Sequence, residues 1–317
     1  MRKELGKTEE WLYVLTKGQD DNLAWYALDP VTTRWQRLPP MPVSVSEQTP
    51  FCGCAVGSVN GCLYVLGGIS RSTTVNSVWR FDPVLNSWSE VSSMLANRAY
   101  SKTGVLDKKL YVVGGVESRR GSLYPLQTAE VYDPNTDVWS EVPSIPFSKA
   151  QMLHDAFLAE MLKPIATGMT CYNGRLCVTQ SLCSWPVFYD AGGKVYDPET
   201  SLWGDMPSGM GEGWPARQAG TKLSVVVGVP VYDVTDSKSS YLLAEFHRKL
   251  HFITRDAYCN VTEKGNGDNK SADSVIWKVI ASKDLGAAEL VSCLDEFLDS
   301  PTNRIVLFHE KLLVRLP

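Results

Sequence analysis

The chain has 317 residues, of which 44% are hydrophobic and 21% are charged, and its formal net charge is −4. This balance is typical of a soluble globular protein with a sizeable core, and it excludes a disordered chain. The small negative charge provides no basic field for nucleic acid or an anionic membrane surface. The sequence contains no uncharged apolar stretch of about 18 residues, so we predict no transmembrane helix.

The first residues of the chain are polar and charged, and they lack the apolar segment of a secretion signal. We therefore expect the protein in the cytoplasm, the nucleus or both, where its eight cysteines stay reduced. Cys52 and Cys54 form one short pair, and the other cysteines and the four histidines show no metal-ligand spacing. We predict no metal and no cofactor.

In chain order, a polar lead-in over residues 1–10 precedes a short apolar strand that begins at Trp11. Similar strands recur along the chain at intervals of 47 to 74 residues. Their anchor leucines are Leu12, Leu63, Leu110, Leu176, Leu250 and Leu312. Two of the strands end in glycine pairs, Gly67 with Gly68 and Gly114 with Gly115. Such pairs let a strand end turn sharply and let neighbouring backbone approach closely.

An Asp-Pro pair follows each of the first four strands, and a Trp lies six residues after each Asp. Asp favours the first turn position because its carboxylate accepts nearby N–H groups, and Pro presets φ at the next position. We predict a β-hairpin in which the Trp starts the second strand and fills the same buried slot in every repeat. The residues are Asp29 and Trp35, Asp82 and Trp88, Asp133 and Trp139, and Asp197 and Trp203.

Later elements are less regular. A capping box at Ser148 opens a predicted helix that ends before Pro164, and residues 287–298 also show helical spacing. A fifth unit is degraded, since residues 222–227 form a predicted strand without an Asp-Pro hairpin after it. Residues 303–316 are predicted to close the fold by pairing with residues 11–16, because an open sheet would leave an unpaired edge.

The order of strand, glycine pair, apolar run, Asp-Pro and Trp resembles kelch repeats. Segments around Arg98, residues 168–176 and residues 211–217 are similar to the plant F-box/kelch-repeat proteins. The resemblance implies an all-β, kelch-type β-propeller over residues 11–317. We expect six blades, one of them degraded, and a short helical insertion.

By the same resemblance, the function is recognition of a client protein in a cullin-based ubiquitin ligase, without bond chemistry in the propeller itself. The family's F-box precedes the propeller and docks on a cullin adaptor. The residues before Trp11 leave no room for it, so we expect this chain to reach the adaptor only through an F-box that it lacks. One alternative is a kelch scaffold unconnected to ubiquitin, for example on the cytoskeleton. Another is a secreted copper-radical oxidase, which the missing secretion signal disfavours.

In an up-and-down blade, connections alternate between two faces. The Asp-Pro turns are short and share one face, whereas the variable connections lie on the other, where binding residues usually sit. Arginine offers a planar fork for carboxylates and phosphates and is enriched at binding hot spots. We predict a site for a client protein or an acidic or phosphorylated peptide, with ordinary solvated charge as the alternative for each residue. Its residues are Arg71, Arg98, Arg119, Arg120 and Arg217.

Overall fold

The computed structural model describes residues 11–17, 23–29, 31–42, 53–70, 72–146, 164–184, 187–206, 241–246, 249–254, 258–264, 277–284 and 289–295. Every regular element within these ranges is a β-strand, which confirms the predicted all-β class. The predicted helix over 148–162, the degraded unit at 222–227 and the tail at 303–316 lie outside the described residues.

The described strands number 22. They are β1 Leu12–Lys17, β2 Leu23–Leu28, β3 Trp35–Arg37, β4 Ala55–Val59, β5 Cys62–Ser70, β6 Thr73–Asp82, β7 Ser87–Val91, β8 Lys102–Leu106, β9 Lys109–Val113, β10 Val116–Arg119, β11 Ser122–Pro125, β12 Ala129–Asp133, β13 Val138–Val142, β14 Ile165–Tyr172, β15 Arg175–Ser184, β16 Val187–Asp197, β17 Leu202–Asp205, β18 Tyr241–Phe246, β19 Lys249–Thr254, β20 Tyr258–Lys264, β21 Trp277–Asp284 and β22 Glu289–Asp295.

These strands form five four-stranded antiparallel sheets and one two-stranded sheet, divided between two compact units. One unit contains the sheets β22-β1-β2-β3 and β18-β19-β20-β21. The other contains β4-β5-β6-β7, β13-β12-β9-β8, β14-β15-β16-β17 and the hairpin β10-β11. Each described anchor strand therefore has a complete four-stranded sheet around it. The sixth blade and the single domain over 11–317 stay predictions.

The closing strand differs from the prediction. Residues 287–298 show helical spacing, but Glu289–Asp295 form the strand that the kelch resemblance implies there, β22, which pairs antiparallel with β1. The leucines four residues apart fit a strand as well as a helix, because four is an even spacing. β22 occupies the edge of β1 that the tail at 303–316 was expected to cover, so that expectation is wrong as well.

The four Asp-Pro hairpins form as predicted, with one shared register. In each, the Trp lies opposite the residue before the Asp, as in Tyr132 with Trp139. Each Asp carboxylate accepts the N–H of the residue two positions on: from Val31 at 2.8 Å, Val84 at 2.8 Å, Asn135 at 3.0 Å and Glu199 at 3.0 Å. Four positions after each Asp the backbone is left-handed, at Thr33, Asn86, Asp137 and Ser201.

In the second unit, the repeated Trp joins successive sheets. The indole N–H of Trp139 donates to the carbonyl of Ser92 at 2.7 Å, and that of Trp203 donates to the carbonyl of Pro143 at 2.6 Å. Trp139 also packs on Tyr132, with ring centroids 5.0 Å apart, and both belong to a core cluster shared with the preceding sheet. The predicted buried slot is confirmed for Trp139, whereas Trp35, Trp88 and Trp203 are only half-buried.

Candidate functional site

The two glycine pairs hold the backbone segment that runs between their sheets. Gly68 donates its N–H to the carbonyl of Arg98 at 2.9 Å, while Ala99 and Val116 exchange two backbone hydrogen bonds. A Cβ on Gly67 would lie 2.2 Å from the oxygen of Arg98, and one on Gly115 would lie 2.4 Å from the oxygen of Ala99. Both glycines have positive φ. The predicted close approach of backbone to the glycine pairs therefore occurs, and the approaching backbone belongs to the segment before β8.

Arg98 is part of this scaffold and not of an open binding face. Its side chain is completely buried and forms an ion pair with Glu130. Its guanidinium also donates to the carbonyl of Gly114 at 2.9 Å and to the hydroxyl of Thr128 at 3.1 Å. The expectation that Arg98 contacts a partner is therefore corrected, because its side chain is inaccessible and its charge is paired with Glu130 inside the protein.

Glu130 was missed by the sequence analysis, although it organises the same segment. Its carboxylate accepts the N–H groups of Leu95 at 2.6 Å and Ala96 at 3.1 Å, in addition to the Arg98 guanidinium. The two members of the ion pair are 32 residues apart in sequence. No local spacing could have joined them.

Two of the connections predicted to be variable loops are extended hairpins in the described residues. β5 and β6 pair up to Ser70 and Thr73, which leaves a two-residue turn. The connection between β9 and β12 contains β10 and β11, which pair from Val116 with Pro125 to Arg119 with Ser122. Their turn is Arg120-Gly121, with φ values of 50° and 78°, the conformation of a type I′ hairpin turn.

The β10–β11 hairpin is braced against the neighbouring sheet. The Ser118 N–H donates to the Thr74 hydroxyl at 3.0 Å, and the Ser118 hydroxyl donates to the carbonyl of Ser72 at 3.3 Å. Thr74 is buried, and Ser72 belongs to the β5–β6 turn. The ends of two adjacent hairpins are thus fixed to each other by hydrogen bonds.

The outer end of this hairpin carries two exposed arginines. Arg119 is 57% exposed and forms an ion pair with Glu117 at 2.7 Å, a contact that solvent screens. Arg120 is exposed at the first position of the turn. Two guanidinium groups and one carboxylate leave this end of the hairpin positive. We call residues 117–122 the arginine tip.

The remaining predicted binding residues, Arg71 and Arg217, lie outside the described residues. The structure thus brings Arg119 and Arg120 together and places Arg98 in the interior. Among the described residues, no group of His, Cys, Asp and Glu side chains could hold a metal ion. No helix in the described ranges has the length and apolar character to span a membrane. Burial raises the pKa of the Cys171 thiol to about 12, so it is uncharged at neutral pH.

Four-stranded antiparallel sheets with glycine pairs and Asp-Pro…Trp hairpins define the class of kelch-type β-propellers. A family model described as Kelch motif matches residues 50–95 and 97–146. These residues include the two sheets that the glycine pairs and Arg98 connect.

The chain belongs to the plant F-box/kelch-repeat family. An F-box/kelch-repeat protein of Arabidopsis thaliana is 59% identical over 386 residues, covering 92% of this chain and 81% of that protein. The F-box protein AFR of Arabidopsis thaliana is 30% identical, over 71% of this chain and 54% of that protein. A solved structure described as the structure of YjhT matches with 16% identity and a TM-score of 0.43, over 78% of this chain and 73% of that chain.

Proposed function

We propose that this protein binds a client protein through the arginine tip, as the recognition part of an F-box-type ubiquitin ligase. The observation that carries the proposal is the pair of exposed guanidinium groups on a hairpin braced against its neighbour. The propeller performs no bond chemistry in this account. It works in the cytoplasm or the nucleus.

A fixed hairpin favours binding because little conformational entropy is lost when a partner docks. The guanidinium forks of Arg119 and Arg120 match carboxylates or phosphates on that partner. The Arg119–Glu117 pair is exposed and therefore weak, so a client carboxylate can replace Glu117 at little cost. These features support an acidic or phosphorylated client segment. Family membership supports the ubiquitin ligase context.

The test is affinity capture from plant lysate with the full chain, read by quantitative mass spectrometry. The variant is Arg119→Ala with Arg120→Ala. Its matched control is Arg34→Ala with Arg37→Ala, which removes two exposed arginines from the other compact unit. Losing two charge-assisted contacts should reduce client recovery at least about tenfold.

The proposal requires that the same proteins remain bound to the control and decline only with the tip variant. Equal recovery with both variants would remove the arginine tip from the site. Recovery of cytoskeletal proteins alone, equally with the tip variant and the control, would favour the scaffold alternative.

A further inference from the structure

Ser122 lies at a position that the proposed binding role does not use. It is the first residue of β11, directly after the Arg120-Gly121 turn, and its side chain is exposed. The local sequence is Arg119-Arg120-Gly121-Ser122-Leu123, with arginines two and three residues before the serine and an apolar residue after it. Basophilic Ser/Thr kinases select this arrangement, because acidic pockets receive the arginines.

We propose that Ser122 is a phosphorylation site for a basophilic Ser/Thr protein kinase. The kinase transfers the γ-phosphoryl group of ATP to the Ser122 hydroxyl oxygen, so that the P–O bond to ADP breaks and the hydroxyl proton is released. ADP and phosphoserine are the products, and no oxidant or reductant is involved.

The surroundings of Ser122 make the site accessible. β11 belongs to a two-stranded sheet and has only β10 as a strand partner within the described ranges. Pro125, at its far end, has no N–H to donate to a further strand. Entry of residues 119–123 into a kinase cleft in extended form therefore breaks only the Arg119–Ser122 and Ser118–Leu123 pairs at the end of the hairpin. The hydrogen bonds of Ser118 to Thr74 and Ser72 stay in place.

Backbone conformation also favours opening of the turn. Arg120 has a φ of 50°, in the left-handed region. This conformation is strained for a residue with a Cβ, and an extended complex with a kinase relieves the strain. Gly121 shares the positive φ without this penalty.

A phosphate on Ser122 would change the charge of the arginine tip. Ser122 lies directly opposite Arg119 in the register, and opposite residues of an antiparallel pair have Cβ atoms about 5 Å apart. The phosphate would add a charge of about −1.5 to −2 beside the two guanidinium groups and attract them. The tip would then no longer be positive. Its effect on acidic clients rests on the proposed function above.

The test uses the folded full chain, Mg-ATP and the catalytic subunit of cyclic-AMP-dependent protein kinase as a basophilic probe. Phosphate is located by peptide mapping with tandem mass spectrometry. The variants are Ser122→Ala, the double variant Arg119→Ala with Arg120→Ala, and Ser87→Ala as a matched control, since Ser87 is also an exposed serine at the start of a strand but has no arginines two or three residues before it. Thermal melts confirm that every variant is folded.

We expect one phosphate on Ser122, none in Ser122→Ala, and an unchanged rate in Ser87→Ala. Loss of the two arginines should lower the rate at least about tenfold, since charge-assisted contacts to the kinase are lost. Phosphorylation of a synthetic 116–127 peptide but not of the folded chain would overturn the proposal. So would phosphate on another serine in place of Ser122.

A second arm separates this inference from the proposed function. The phosphorylated chain and the unmodified chain are compared in the capture experiment, and phosphorylation should lower client recovery as strongly as the double arginine variant does. Client recovery could stay unchanged although Ser122 is fully phosphorylated and binding still depends on the arginines. That result would refute the effect of Ser122 phosphorylation on client binding. Failure of the unmodified chain to depend on the arginines would refute the proposed function and leave the kinase result intact.

Discussion

At the scale of single residues, the side chains of the Asp-Pro…Trp repeat combine packing with specific hydrogen bonds. Trp139 is 6% exposed and donates its indole N–H to the carbonyl of Ser92. The N–H of the same Ser92 donates to the Asp137 carboxylate at 3.0 Å, and Tyr132 donates its hydroxyl to that carboxylate at 2.7 Å. Ser92, which follows β7, thus joins its sheet to the next one, because its carbonyl accepts from Trp139 and its N–H donates to Asp137.

These contacts affect the protonation of Asp137. The Tyr132 hydroxyl and then the Ser92 N–H stabilise the charged form, so the pKa of Asp137 lies below its usual value of 3.8. A lowered folded pKa adds stability that is present above the unfolded pKa and is lost as the pH falls through the folded pKa. Burial, with Asp137 close by, raises the pKa of Tyr132, so its hydroxyl remains a donor at all these pH values.

We predict that Tyr132→Phe lowers the free energy of unfolding by about 1 kcal/mol at neutral pH, because a hydrogen bond to a carboxylate is lost. The difference from wild type should shrink as the pH falls below 3.8 toward the lowered pKa at which Asp137 is protonated in the folded protein. Urea denaturation at several pH values measures both the loss of stability at neutral pH and its decrease in acid. Tyr111→Phe is the control, since Tyr111 is also buried but is not bonded to Asp137. A difference that does not shrink in acid would contradict this role of Asp137.

At the scale of elements, the glycine pairs show what the sequence could predict and what it could not. The pairs predicted a close backbone approach, and the approach occurs at Gly67 and Gly115. The approaching segment could not be named, because it lies about 30 residues after the first pair and is fixed by Glu130 from β12. Local patterns determine hairpin register, whereas contacts between elements depend on packing that no short spacing encodes.

We predict that Gly67→Ala strongly destabilises the protein. Its Cβ would lie 2.2 Å from a backbone oxygen, and its φ is 57°. Both the steric clash and the left-handed strain apply, so the loss should exceed about 3 kcal/mol. Gly121→Ala is the matched control, since Gly121 has a φ of 78° and no atom within 4 Å of the added Cβ.

Strain alone should cost Gly121→Ala about 1 kcal/mol. Denaturant unfolding of the two variants separates the cost of the steric clash from the cost of the left-handed backbone. Equal losses in both would mean that the segment at Arg98 does not cross the glycine pair as described.

The difference between local patterns and contacts between elements also explains which of the other predictions were wrong. Leucine spacing in residues 287–298 fits two kinds of structure, and the need of β1 for a neighbour decides in favour of a strand. The arginines were predicted as one group from their position in variable connections. Burial separates them, because Arg98 has a carboxylate partner in β12 whereas Arg119 and Arg120 project from a hairpin end.

At the scale of the whole molecule, this chain and its 59% identical relative differ in length within the span that they share. The match to the 59% identical relative runs over 386 residues, more than the 317 of this chain, so that relative carries residues within the matched span that this chain lacks. The difference exceeds one kelch repeat of about 50 residues. No Asp-Pro pair follows Trp203 in the sequence, and the described residues form five four-stranded sheets.

Two ends of the β4–β7 sheet could present a partner surface, and they differ in character. One end is next to the arginine tip, through Ser72 and Ser118. The other is the Asp-Pro turn, where Val84 and Leu85 are exposed. β6 joins these ends over ten residues, so they lie roughly 30 Å apart. A probe at each end can therefore tell an electrostatic site from an apolar one.

The most direct measurement is site-specific photo-crosslinking with benzoylphenylalanine at Leu123 or at Leu85 in the full chain, followed by identification of the attached proteins from plant lysate. We predict client crosslinks at position 123 that disappear when Arg119 and Arg120 are replaced by alanine, and none at position 85. Crosslinks at position 85 alone, unaffected by the arginines, would contradict recognition through the arginine tip.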